Sequence, residues 1–245
     1  MSKYTLKNEE GSERASLYIY GEIVNDRQAS IYQLFGIDGV VGATDFRKQL
    51  EAVGEKPLDV YISSDGGEVP SGLAIANMLA RRTAETVGHI DGWAASIAGI
   101  IFLACHERHM PGNTFLMLHR PSLVGFDGNI DDFQKAVEFL DTTGKSMLNF
   151  IFERLNHDED KETVEKNYID EHWYSAQEAA EFFRIQTDSD QSYTDSDQSY
   201  KAVTKCSRFK LPAALKANMA NDKPVAVAPE IMQALNDSLR VIYDL

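Results

Sequence analysis

The stretch LDVYISSDGGEVPSGLAIANMLARR, residues 58–82, decides the fold. It begins with LDVYISS (58–64), whose alternating apolar residues predict a buried strand. The pattern VPSGLAIANMLARR (69–82) predicts a helix with small and apolar residues on one face. Asp65, Gly66 and Gly67 lie between them. They form either an ordinary tight turn or a segment whose exposed amides can hold an oxyanion or a substrate strand.

The same strand–helix unit recurs before and after this stretch. The predicted strands are SLYIYGEI (16–23), ETVGHI (85–90) and TFLMLHRP (114–121), and the predicted helices are 43–53, SIAGIIFLAC (96–105), roughly 130–155, and SAQEAAEFF (175–183). DGWAA (91–95) is predicted to be a turn, and Ser175 with Glu178 is predicted to form a capping box. The helix at 96–105 is apolar almost all round and should be buried. Repeated strand–helix units predict an α/β domain with a largely parallel sheet.

Composition and charge exclude several classes of protein. The apolar fraction of 43% supports an ordinary core, and 38 acidic against 24 basic residues argue against a nucleic-acid binder. The longest apolar run, residues 97–105, is about half of what a membrane span needs, and residues 1–16 contain no apolar segment typical of a signal peptide. Two distant cysteines, Cys105 and Cys206, do not form a disulfide framework. We therefore expect a cytoplasmic protein.

The C-terminal quarter differs from the rest of the chain. Residues 187–200 repeat TDSDQSY in tandem, which predicts a polar linker. Residues 201–245 begin with a basic segment and continue into a helical pattern, which predicts an appendage that is partly helical. The expected organisation is a domain at 1–186, a linker at 187–200 and an appendage at 201–245.

Ser96 lies where a strand, a turn and a helix meet, in GWAAS (92–96). The small residues around it allow a tight bend, and a helix N-terminus offers unpaired amides beside the hydroxyl. This setting suits a nucleophile whose attack produces an oxyanion, although the same residue could be a simple N-cap serine.

His119 follows an apolar strand, at the sheet edge where parallel sheets usually carry their sites. It could accept the proton of a serine near neutral pH, or it could be a hydrogen-bonded structural histidine. The other five histidines lack metal-ligand spacing, so no metal site and no cofactor are predicted. Asp170 and Glu171 are candidates for a carboxylate that orients the imidazole, or simply a solvated acidic pair.

Four segments, in one order, resemble the ClpP family of serine peptidases: YISSDGGEVPSGLAIANML, DGWAASIAGIIFLA, MPGNTFLMLHRP and EHWYSAQEAAEFF. The resemblance covers roughly residues 16–185. It implies a ClpP/crotonase-like spiral of repeated ββα units with a long handle-type helix. It also implies Ser96 as nucleophile, His119 as base and Glu171 as acid, with Asp170 as the alternative acid.

The resemblance assigns backbone roles as well. The amides of Gly66 and Ile97 are expected to hold the oxyanion, and Gly67, Glu68 and Val69 are expected to hold the substrate in an extended pose. Family members form homo-oligomeric rings, commonly heptamers stacked in pairs, in which the helix at 130–155 would mediate contacts between rings.

Finer details resemble the ClpP-related head-maturation proteases of tailed phages and prophages. These details are IYGEI, the tryptophan of EHWYSA, and HRPSLVGFDGNIDDFQKAVEFLD. The implied substrates are capsid, scaffold or portal proteins, processed in the bacterial cytoplasm or inside procapsids.

Four alternatives stay open on the sequence alone. One is the proteolytic subunit of an ATP-dependent Clp protease, fed by an AAA+ unfoldase. Another is an enzyme like signal-peptide peptidase with a serine–lysine dyad, which the histidine at position 119 disfavours. The others are a crotonase-like acyl-CoA enzyme, which would not need the serine, and an inactive structural protein that kept the fold.

Overall fold

The computed structural model describes residues 12–37 and 39–187, which form alternating strands and helices. The strands are β1 (Ala15–Ile23), β2 (Val40–Val41), β3 (Leu58–Gly67), β4 (Thr86–Ala95), β5 (Glu107–His109), β6 (Phe115–Leu118) and β7 (His172–Ser175). The helices are α1 (Asp26–Leu34), α2 (Ala43–Val53), α3 (Val69–Ala80), α4 (Ile97–Ala104), α5 (Ile130–Phe152), α6 (Lys161–Asp170) and α7 (Ala176–Phe182), with a 3₁₀ turn at Asp158–Asp160.

The strands form one sheet in the order β2-β1-β3-β4-β6-β7, and β5 also pairs with β4. All pairs are parallel except β6 with β7, which is antiparallel. The prediction of a largely parallel sheet is therefore confirmed. Parallel order brings the carboxyl ends of β3, β4 and β6 to the same edge, where Gly66, Ser96 and His119 lie.

The sheet is irregular just before this edge. The register of β3 against β4 shifts between Ile62 and Ser64, because Ile62 pairs with Ile90 whereas Ser64 pairs with Ala94. β4 thus carries extra residues in a bulge, and the strand continues through Ala95. The prediction of a turn at 91–95 is wrong. Asp91 and Gly92 are typical turn residues, but here they belong to the bulged strand.

The core lies mainly between the sheet and the helices α3 and α4. Every residue of α4 is buried, which confirms the expectation for this apolar helix. The helix packs so closely on α3 that a Cβ atom at Gly72 would lie 2.2 Å from Cγ1 of Ile97. Cys105 is buried as a free thiol, and burial raises its pKa to about 12. The end of α4 also packs on the sheet, because a Cβ atom at Gly88 of β4 would lie 3.1 Å from Sγ of Cys105.

Several predicted ends shift by a few residues. α3 ends at Ala80 instead of Arg82, α5 ends at Phe152 instead of residue 155, and β6 ends at Leu118, so that His119 follows the strand. Only half of the predicted capping box is present in α7. Ser175 accepts from the amide of Glu178, but the Glu178 carboxylate lies 2.7 Å from Nε2 of His172.

Except for Thr187, the predicted linker at 187–200 and the appendage at 201–245 lie outside the described residues, so the domain boundaries stay a prediction. Among the helices of the described residues, none is both long and apolar enough to cross a membrane.

Candidate active site

Ser96 occupies the bend between β4 and α4. Its backbone torsions are φ 58° and ψ −127°, a positive-φ conformation that costs a residue other than glycine about 1–3 kcal/mol. Its amide donates to the carbonyl of Met117 at 2.9 Å, which ties the bend to β6. The hydroxyl makes no capping bond to α4. Ser96 is the N-cap residue of α4 by position, but the interpretation that its hydroxyl serves as a cap is wrong.

His119 meets this hydroxyl. Its Nε2 lies 2.8 Å from Oγ of Ser96, which is hydrogen-bond distance. The contact follows from the sheet, because Ala95 pairs with Met117 and the two chains leave β4 and β6 side by side. Burial lowers the pKa of His119, and the nearby charge of Glu171 opposes that effect. Burial therefore favours the neutral imidazole, which is the form able to accept a proton.

Glu171 lies on the other side of the imidazole. Its Oε2 is 3.8 Å from Nδ1 of His119, too far for a hydrogen bond but close enough for its charge to stabilise a protonated imidazole. Its backbone is left-handed, with φ 60°, directly after α6. Its Oε1 is buried and has no hydrogen-bond partner among the described residues. Asp170, the alternative acid, is the exposed last residue of α6.

Gly66 lies directly against the nucleophile. Its φ is 89°, and a Cβ atom there would lie 2.6 Å from the Ala95 carbonyl oxygen and 2.8 Å from Cβ of Ser96. Only glycine fits this approach. Asp65, Gly66 and Gly67 are the last residues of β3, so their interpretation as an ordinary tight turn is wrong.

The two predicted oxyanion donors differ in whether the amide already has a hydrogen-bond partner. The Gly66 amide donates to Oγ of Ser64 at 3.1 Å, and the Ser64 hydroxyl donates to the carbonyl of Gly21 at 2.6 Å. An oxyanion would have to share or displace the Ser64 hydroxyl to reach this amide. Ile97 is the first residue of α4, where helix amides have no acceptor within the helix.

The three residues predicted to hold the substrate are tied to β1 and α3. A Cβ atom at Gly67 would lie 1.9 Å from the Ile23 carbonyl oxygen, and the Glu68 amide donates to the same oxygen at 2.8 Å. The Glu68 carboxylate accepts from the amide of Ser71 at 2.6 Å, and Val69 begins α3. Their role with a substrate stays a prediction.

A cavity of about 600 Å³ opens beside His119 and Glu171. Its walls come from α5, α6 and the segment that follows β6, and they include Pro121, Leu140, Gly144, Leu148 and Tyr168. A Cβ atom at Gly144 would lie 3.4 Å from Cδ of Pro121 and 3.9 Å from the Tyr168 hydroxyl. A larger side chain at this position would therefore extend along the cavity wall.

Two hydrogen bonds near the carboxyl end of β3 were not predicted from the sequence. One is the Ser64 hydroxyl described above, and the other is a bond of 2.6 Å from Nε1 of Trp93 to Oδ1 of Asp65. Neither has a sequence signal, because each depends on the irregular register between strands. Within residues 12–37 and 39–187, no group of three or more His, Cys, Asp or Glu side chains could hold a metal ion.

Comparisons with known proteins agree on one family. The sequence model described as Clp protease matches residues 12–185. The ATP-dependent Clp protease proteolytic subunit 2 of Borreliella burgdorferi is 30% identical over 171 residues, which is 68% of this chain and 78% of that protein. The ATP-dependent Clp protease proteolytic subunit of Paracoccus denitrificans is 31% identical over 132 residues, 52% of this chain and 64% of that protein.

A solved structure supports the same fold. A ClpP1 mutant from Listeria monocytogenes superposes with a TM-score of 0.55 at 24% sequence identity, and the match covers 71% of this chain and 92% of that one.

Proposed function

Since this chain belongs to the Clp protease family and is a ClpP-like serine endopeptidase, we propose that Ser96, His119 and Glu171 form its catalytic triad. The observation that carries the assignment is the distance of 2.8 Å between Oγ of Ser96 and Nε2 of His119. The two residues are 23 positions apart in the sequence, and the ends of two neighbouring parallel strands bring them together.

The proposed reaction proceeds through an acyl-enzyme. Nε2 of His119 accepts the Ser96 proton while Oγ attacks the scissile carbonyl carbon, and the carbonyl electron pair moves onto its oxygen. The amides of Ile97 and Gly66 hold that oxyanion. The imidazolium then gives its proton to the leaving amine, and water repeats the sequence to release the acid. Glu171 stabilises the imidazolium through its charge.

Fluorophosphonate labelling followed by intact-mass measurement tests this assignment. Wild-type protein should gain one adduct per chain, and Ser96→Ala should gain none. His119→Ala should be labelled at least about 100-fold more slowly, because the hydroxyl loses its base. Full labelling of Ser96→Ala would refute the role of this serine. Rapid labelling of His119→Ala would favour a lysine-dependent dyad.

We propose that the cavity beside His119 receives a substrate side chain. It opens beside His119, and its wall is mainly apolar, with charged side chains such as Arg120 and Lys145 among the lining residues. Gly144→Leu should narrow it and lower kcat/KM for peptides with a large residue next to the scissile bond by about tenfold, with little effect on small residues. Ser146→Leu is the matched control, because Ser146 is exposed on the same helix. Equal effects of both changes on all peptides would contradict this role.

For the biological role, we propose processing of capsid, scaffold or portal proteins during phage head maturation. The support is the resemblance of IYGEI, EHWYSA and HRPSLVGFDGNIDDFQKAVEFLD to that subgroup. Capsid and portal genes beside its gene would support this role, and co-expression with their products should yield discrete, shortened forms that Ser96→Ala does not produce. Intact partners in the presence of active enzyme would refute this role.

A second role is favoured by the comparisons, because both curated relatives are named proteolytic subunits of ATP-dependent Clp proteases. In that role the chain assembles into rings and degrades polypeptides delivered by an AAA+ unfoldase. Degradation of a folded, tagged substrate only when ATP and the host unfoldase are both present would establish it. Sedimentation of the full chain would test the proposed ring, and cell fractionation would test the proposed cytoplasmic location.

A further inference from the structure

The Gly66 backbone lies so close to Ser96 that a side chain at position 66 would clash with the nucleophile. A Cβ atom at Gly66 would already lie 2.8 Å from Cβ of Ser96 and 3.1 Å from the Ile97 amide nitrogen. The end of β3 is thus one wall of the space in which a tetrahedral intermediate would form. Whatever fixes that end also fixes the geometry around the nucleophile.

The strand ladder alone does not fix it on the β4 side. The register between β3 and β4 shifts at the bulge, and its last pair is Ser64 with Ala94. Beyond that pair, the register of β3 continues with β1, where Gly66 faces Glu22 and Gly67 faces Ile23. The residues nearest the nucleophile are therefore held from the side away from Ser96.

A side-chain bond crosses to β4 where this ladder stops. Nε1 of Trp93 donates to Oδ1 of Asp65 at 2.6 Å, and both side chains are partly buried. Asp65 directly precedes Gly66, and Trp93 lies three residues before Ser96. A carboxylate acceptor makes this hydrogen bond stronger than one between neutral groups. The bond joins the two backbone segments whose separation sets the approach of Gly66 to Ser96.

We propose that Asp65 and Trp93 are positioning residues, and that their hydrogen bond holds the Gly66 backbone against the nucleophile. This inference rests on the proposed function of Ser96. Neither side chain needs to touch the substrate. Displacement of a site by about 1 Å can cost about 100-fold in rate, so loss of the bond should affect the tetrahedral state more than substrate binding.

The two tryptophans of the chain provide a matched test. Trp93→Phe removes a bonded indole N–H and keeps an aromatic ring. Trp173→Phe makes the same change at a buried indole N–H that has no hydrogen-bond partner among the described residues. At position 65, Asp65→Asn keeps an oxygen acceptor, whereas Asp65→Leu does not.

For each variant of the full chain, kcat and KM are measured on a short peptide ester, and Ki on a peptide aldehyde whose hemiacetal with Ser96 mimics the tetrahedral state. We expect Trp93→Phe and Asp65→Leu to lower kcat about 10- to 100-fold and to raise Ki by a similar factor, with KM within about threefold. Asp65→Asn should lose less than about fivefold, and Trp173→Phe less than about threefold. Circular dichroism and sedimentation establish that each variant is folded.

Three results would overturn the proposal: a folded Trp93→Phe variant with kcat and Ki within threefold of wild type, equal losses in Trp93→Phe and Trp173→Phe, or equal losses in Asp65→Asn and Asp65→Leu. If Trp93→Phe does not fold, the pair of Asp65 variants decides. A wild-type enzyme that fluorophosphonate does not label would refute the proposed function instead.

Discussion

Replacing Ser96 by glycine should stabilise the fold relative to replacing it by alanine. Both changes remove the hydroxyl and its bond to His119, so the two variants differ only by one methyl group. Alanine keeps a Cβ atom at φ 58°, where the conformation costs about 1–3 kcal/mol, and glycine avoids that cost. Glycine in turn gains about 0.4–1 kcal/mol of entropy in the unfolded chain, which offsets part of the difference. We expect Ser96→Gly to be more stable than Ser96→Ala by about 1 kcal/mol.

Urea unfolding followed by tryptophan fluorescence measures this difference, at one protein concentration because assembly would contribute to stability. Ala76→Gly, at a buried position in the interior of α3, is the control, and it should lose about 1 kcal/mol or more. The reasoning is refuted if Ser96→Ala is as stable as Ser96→Gly while the control behaves as expected. That result would mean that the bend before α4 carries no strain.

Three further predictions concern the site. The acid limb of kcat/KM against pH should have an apparent pKa below about 6.5, since burial lowers the pKa of His119 and the neutral imidazole is the active form; a limb above 6.5 would contradict this. Glu171→Gln should lower kcat at least about tenfold and move the acid limb to still lower pH, because the negative charge of Glu171 raises the His119 pKa. The kcat of Asp170→Asn should stay within about threefold of wild type. The reverse pattern in steady-state kinetics would make Asp170 the acid. Gly66→Ala should abolish fluorophosphonate labelling or destabilise the fold by at least about 2 kcal/mol. The reason is that its Cβ atom would lie 2.6 Å from the Ala95 carbonyl oxygen. Full labelling at unchanged stability would show that β3 moves freely.

The elements predicted from the sequence are those with a clear apolar pattern. The helices α1 and α6 were not predicted, because α1 buries only Ala29 and α6 only Val164 and Tyr168. Residues 43–53 form α2 with the predicted bounds, because an amphipathic pattern lies between Gly42 and Gly54. The strand at 58–64 was predicted from its alternation and extends to Gly67 in the structure. β2 and β5 have two and three residues and owe their existence to pairing, so they have no pattern of their own.

The sequence predicted which residues form the site, but it did not predict the distances between their side chains. The sequence places Ser96 and His119 after successive apolar segments, and parallel order then requires their proximity. Nothing in the sequence indicates that Glu171 lies 3.8 Å from the imidazole, or that the Ser64 hydroxyl already occupies the Gly66 amide. Both depend on side-chain packing between residues that are not neighbours in a regular ladder.

The alcohol and the imidazole follow interior strands, whereas the carboxylate precedes β7, a four-residue strand at the border of the sheet. Border segments generally open at lower free energy than central ones. Fraying of β7 would withdraw the acid and leave the other two groups joined. Mild warming or dilute denaturant should therefore lower turnover reversibly before the whole domain unfolds. The edge strand β7 is thus a position at which activity can be regulated.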